Sequence, residues 1–157
     1  METGQFVMDV MVPGGLDDGG AGRRTIQRVR LMHAAVRHLI LSEATRDPDL
    51  WDPGWGHPVN QEDLAGTLLS FGFVPAEPLR RLGVRVPDRE AEDYLHCWNV
   101  VGHQLGLRPE LLAADLNEAG QLVAAIRSRH TEASDAGFEL TAALVELLEE
   151  LIPTTRF

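Results

Sequence analysis

Residues 29–41 of the chain read VRLMHAAVRHLIL, an apolar segment that carries two arginines and two histidines. Apolar side chains on nearly every face are typical of a buried helix. A buried arginine needs a partner, because its guanidinium group keeps its protons and its charge. The segment therefore predicts a buried helix whose arginines meet an anion.

Three of the charged residues lie on one side of this predicted helix. At about 100° per residue, Arg30, His33 and Arg37 fall within roughly 60° of one another, in the sector of Ile26 and Ile40. Two simple interpretations are open: the arginines reach an edge or pair with carboxylates of another helix, and the histidine is hydrogen-bonded in the core. The third is a bound planar dianion. Haem b fits that description, because its iron needs an axial ligand and its two propionates need cations.

The spacing of apolar residues predicts an all-α chain of about six helices. We expect helices over about 3–12, 23–44, 61–74, 89–105, 116–131 and from about 135 to just before Pro153, with a short helical piece before Leu82. Asn60 and Asp63 resemble an N-cap with an acidic first turn, and Gly106 is a helix stop. We expect residues 1–157 to form a single helical domain.

Three segments in a fixed order carry a family resemblance. They are VRLMHAAVR (29–37), GHPVNQEDLAGTLLSFGFV (56–74) and YLHCWNVVGHQLGL (94–107). Together they resemble the rubber oxygenases, or latex-clearing proteins, and the MpaB-type oxygenases that share their catalytic domain. The resemblance runs from about Thr3 to Ile152. It implies a helical bundle with a globin-like core that binds haem b.

The resemblance also implies roles for individual residues. His33 matches the axial iron ligand, and Arg30 and Arg37 match the arginines around it. Thr3 matches a threonine of the family's distal-side segment over a short stretch, which implies a catalytic role for Thr3. The implied enzyme is a haem-dependent oxygenase of the dioxygenase type. Its apolar isoprenoid-like substrate and dioxygen react to give carbonyl products.

The chain also departs from the family pattern. Family members are longer at both ends, and Glu2 stands beside Thr3 where a latex-clearing protein has a lysine. We therefore expect a partial domain that lacks its distal half. Its site would be an open groove beside His33 or would be covered in a homo-oligomer. This chain alone would then cleave little isoprenoid.

Composition limits the classes of partner. The formal charge is −10, and the chain has no basic face for nucleic acid or anionic lipid. A single cysteine fits a reducing compartment. The sequence shows no signal peptide and no apolar run long enough to span a membrane. We therefore expect a cytoplasmic protein, unless a longer form is secreted. Two other functions stay open: a non-catalytic helical module that binds a partner, and a dinuclear carboxylate–histidine metal protein that uses Asp93, His96 and His103.

Overall fold

The computed structural model describes residues 2–151, and within them it contains seven α-helices and no β-strand. The predicted all-α class is confirmed. The count exceeds six because the short piece before Leu82 forms a helix of its own. The globin-like character of the core stays a prediction.

The helices follow the predicted order, with ends mostly within about two residues of the predicted ones. They are α1 (Glu2–Met11), α2 (Ala21–Ala44), α3 (Gln61–Gly72), α4 (Ala76–Arg81), α5 (Asp88–Leu105), α6 (Leu116–His130) and α7 (Asp135–Leu151). The chain divides into two compact units, residues 1–125 and 126–157, and the cavity described below lies in the first. The single-domain expectation stays a prediction.

Local hydrogen bonds set the ends of the helices that matter for the site. The Asn60 side chain accepts from the backbone N–H groups of Glu62 and Asp63, and the Asp63 carboxylate accepts from the Asn60 N–H. This capping box starts α3 at the predicted place. Gly106 ends α5 in the left-handed conformation, with φ of 92°, which glycine adopts without strain.

Glycines allow α3 and α5 to approach closely in the core of the first unit. A Cβ atom on Gly72 would lie 2.7 Å from Cβ of Trp98, and one on Gly102 would lie 2.6 Å from Cδ2 of Leu68. Trp98 is only 1% exposed. This contact therefore fixes Trp98 between the two helices, and fully buried side chains of this kind each contribute about 1.5–3 kcal/mol to stability.

Candidate cofactor cavity

A cavity of about 810 Å³ lies among α1, α2, α3 and α5 of the first unit. Its volume falls in the range of roughly 300–1,000 Å³ that is usual for small-molecule sites. Most of its wall is apolar, and Val59, just before α3, adds to it. Part of the wall is exposed, since Met32 is 47% exposed. The structure thus has an accessible, largely apolar cavity beside the long helix.

His33 lies on this wall, as the cofactor hypothesis expects. Its side chain is half-buried, and its imidazole forms no hydrogen bond with any described residue. Burial lowers the pKa of His33 below its usual value, and the nearby positive charge of Arg37 lowers it further. At neutral pH the imidazole is therefore uncharged and has a ring nitrogen free to bind a metal.

Arg37 holds the segment that enters α3. Its Nε donates to the carbonyl of Pro58 at 2.9 Å, and its Nη2 donates to the carbonyl of Val59 at 2.6 Å. Val59 has φ of 54°, a left-handed conformation that β-branched residues rarely adopt. Because Val59 lines the cavity, the two hydrogen bonds of Arg37 help to fix the shape of this part of the wall.

Arg30 reaches the end of α5. Its Nη1 donates to the carbonyl of Gln104 at 3.1 Å, and its guanidinium group lies beside Gly106. Cations are favourable there, because the last carbonyls of a helix carry partial negative charge. The predicted burial of the helix over residues 29–41 is wrong, because none of these residues is buried, and Arg30 is exposed and does not line the cavity.

Neither arginine pairs with a carboxylate of a described residue, and the acceptors that they meet are backbone carbonyls. Sequence reasoning foresaw that the arginines needed acceptors, but it named only side-chain or cofactor anions. Long-range carbonyl partners depend on which loops and helix ends lie nearby, and no local pattern reveals that.

The orientation of α2 explains which of its residues reach the cavity. The part of α2 that faces the cavity is centred near Thr25 and Met32. Around the helix axis, Arg28 lies about 60° from Thr25 on one side, and His33 lies about 80° from Thr25 on the other side.

Arg37 and Arg30 lie on the same side as His33 but further from the cavity, at about 120° and 140° from Thr25 and near the buried Ile26. His33 therefore borders both surfaces, and the sequence missed Arg28 as a cavity residue.

Polar residues of α1 and α2 form one part of the wall. Thr25 Oγ1 donates to Asp9 Oδ2 at 2.6 Å, and Gln5 Nε2 donates to Asp9 Oδ1 at 2.7 Å. The hydrogen bond from Thr25, followed by that from Gln5, lowers the pKa of the Asp9 carboxyl, so it stays charged. Thr3, the predicted catalytic residue, also lines the cavity from α1, and its side chain is exposed.

Aromatic side chains form another part of the cavity wall. Trp98 stacks on Phe71 with ring centroids 5.2 Å apart and planes 15° apart, and Phe6 lies 6.4 Å away. The indole Nε1 of Trp98 has no hydrogen-bond partner among the described residues. This surface is suited to an apolar ligand, because stacked aromatic rings offer large contact areas without charge.

The dinuclear metal alternative finds no support in the part of the chain that the structure describes. Asp93, His96 and His103 are exposed on α5, and no group of three or more histidine, cysteine, aspartate or glutamate residues there is arranged to hold a metal ion. No helix among these residues is long and apolar enough to cross a membrane.

The fold and the cavity together define an all-α protein with a largely apolar cavity that has His33 on its wall. The chain belongs to the family described as the ER-bound oxygenase mpaB/B′/rubber oxygenase catalytic domain, whose model matches residues 1–156. The rubber oxygenase of Streptomyces sp. (strain K30) is 29% identical over 134 residues, which cover 81% of this chain. The chain spans 31% of that relative's length. No solved structure matches.

Proposed function

We propose that the chain is a haem b-dependent oxygenase domain that acts on the carbon–carbon double bond of an apolar isoprenoid-like molecule. One observation carries the proposal: His33, with its uncharged imidazole and no hydrogen bond, lies on the wall of a largely apolar cavity of about 810 Å³. Membership of an oxygenase family supports the reaction class.

The residues of the cavity fit haem. A porphyrin provides four ligands to its iron, so the protein has to provide only one axial ligand. His33 is suited to that role, and a cluster of protein ligands is not needed. The family resemblance implies that Arg30 and Arg37 balance propionate charge. In the structure they use one and two guanidinium nitrogens respectively in hydrogen bonds to backbone carbonyls. Each therefore keeps N–H groups that can donate hydrogen bonds to a propionate.

When bound, haem supplies the iron at which dioxygen is activated. The apolar wall formed by Phe6, Phe71 and Trp98 would hold the olefin and exclude water. Thr3 places a hydroxyl group on the α1 wall, where it can donate a hydrogen bond to an oxygen atom within the cavity. Cleavage breaks both bonds of the C=C group and adds one oxygen atom of dioxygen to each carbon, so two carbonyl products form and no further reductant is consumed.

The reaction is tested with isotopically labelled dioxygen and a short prenyl substrate. Haem-loaded protein is incubated with both, and the products are analysed by mass spectrometry. The proposal expects the cleavage products, however small their yield, to be two carbonyl fragments that each carry one labelled oxygen atom. Label in neither fragment, or an epoxide or alcohol as the only product, would contradict the cleavage reaction even if haem is bound.

A non-catalytic module that binds a partner is the second candidate, and α7 favours it. Within the second unit, this helix exposes several large apolar side chains, among them Phe138 and Leu140 at 68% and 73%. Such surfaces often mark interaction sites. A protein that binds no haem, yet associates through α7 in a way that Leu140→Asp abolishes, would favour this candidate over the oxygenase.

A further inference from the structure

The positive charge on the cavity wall comes from a residue that the sequence pattern did not single out. Arg28 lines the cavity, whereas Arg30 and Arg37 do not. It is also exposed, and its guanidinium group forms neither a hydrogen bond nor an ion pair with any described residue. Arg28 is thus a cavity cation whose donors are all available.

The Asp9 carboxylate lies near Arg28 but accepts no hydrogen bond from its guanidinium group. Asp9 is close enough for the charge of Arg28 to contribute to its lowered pKa, but both of its carboxylate oxygens accept hydrogen bonds from Thr25 and Gln5. Both Asp9 oxygens are therefore hydrogen-bonded without Arg28, although the carboxylate keeps its negative charge. An anion that enters from the exposed edge of α2 would meet the guanidinium group of Arg28.

The position of Arg28 relative to His33 suits the two ends of one planar ligand. The residues lie five positions apart on α2, which is about 7.5 Å along the helix axis, and they border the two sides of its cavity-facing sector. A ligand bound to His33 through its centre, with a carboxylate at its periphery, can place that carboxylate near Arg28. A guanidinium group and a carboxylate match in shape and can form two parallel hydrogen bonds.

We propose that Arg28 pairs with a propionate carboxylate of the haem, and that Arg30 and Arg37 act mainly by holding the surrounding backbone. The assignment rests on the proposed function, because it takes haem as the ligand. It differs from the role that the family resemblance implies for Arg30 and Arg37.

The test compares haem with its dimethyl ester, in which neither propionate is charged. Both are titrated into the ligand-free protein, and binding is followed by quenching of tryptophan fluorescence and by the visible absorption of the bound cofactor. Neither readout needs activity. The variants are Arg28→Gln, Arg28→Lys and Arg30→Gln. Arg28→Gln should fold normally, because this exposed side chain forms no hydrogen bond or ion pair with a described residue, and circular dichroism checks this.

We expect Arg28→Gln to weaken haem binding roughly threefold to tenfold, because a partly exposed ion pair between Arg28 and the propionate contributes only modestly to binding. Binding of the ester should be unchanged. Arg28→Lys should retain part of the difference, because it keeps the charge but not the planar pair. Arg30→Gln should affect haem and ester equally.

Other outcomes overturn the assignment. These are equal losses for haem and ester in Arg28→Gln, no loss at all, or a loss specific to haem only in Arg30→Gln. Wild-type protein that binds haem and ester equally tightly would also overturn it, while leaving the haem proposal intact. Wild-type protein that binds neither would overturn the proposed function as well.

Discussion

Replacing Arg37 with glutamine should disturb both the stability of the first unit and the titration of His33. The change removes two charged hydrogen bonds to the carbonyls of Pro58 and Val59. Bonds of this kind are worth about 1.5–3 kcal/mol each, and partial exposure of Arg37 reduces their sum. Val59 also loses support for its left-handed backbone. We expect Arg37→Gln to lower the free energy of unfolding by about 2–4 kcal/mol.

The same substitution should raise the pKa of His33. Arg37 is the second cause of its lowered value, after burial, so the pKa should move up but stay below that of a free imidazole. Urea unfolding followed by tryptophan fluorescence measures stability, and NMR titration of the His33 ring measures the pKa. Arg30→Gln is the matched control, because it loses a single exposed bond, worth less than about 1 kcal/mol. If Arg37→Gln unfolds at the same urea concentration as wild type, or if the His33 pKa does not change, our account of this wall is wrong.

Two further predictions concern packing and pH. Gly72→Ala should lower the free energy of unfolding, measured in urea, by about 1–2 kcal/mol, because the new methyl group would overlap Trp98. Gly4→Ala, where the new atom meets open space, should raise it by up to about 1 kcal/mol. Equal effects at the two sites would refute the tight contact between Gly72 and Trp98. The free energy of unfolding should decrease as pH falls from about 7, because below about pH 6.5 the unfolded chain takes up a proton at His33 that the folded chain resists. His33→Gln should reduce this slope, and an unchanged slope would mean that His33 titrates normally in the folded protein.

The helices and their ends could be read from the sequence, because their signals are local. The Asn60 and Asp63 cap, the Gly106 stop and the apolar periodicity each act within one or two turns of chain. The relative angles of Arg30, His33 and Arg37 follow from helix geometry in the same way.

The absolute orientation of α2 could not be read, because tertiary packing sets it. A helical wheel places Arg30 and His33 near each other, but it does not show that the cavity lies on the side of Thr25 and Met32. For that reason Arg28 was overlooked and Arg30 was wrongly expected on a buried face. A helical wheel likewise does not show that α5 turns Trp98 and Val101 towards the core and leaves Cys97 exposed.

The most direct test of the central claim is the visible absorption spectrum of three proteins after loading with haem: wild type, His33→Ala and His38→Ala. His38 is the matched control, because it lies on the same helix, is exposed and does not line the cavity. Our account predicts a strong Soret band for wild type and His38→Ala. It predicts a lost, weakened or shifted band for His33→Ala, with partial recovery when imidazole is added. A Soret band that His33→Ala leaves unchanged in position and intensity would contradict the assignment of His33 as the iron ligand.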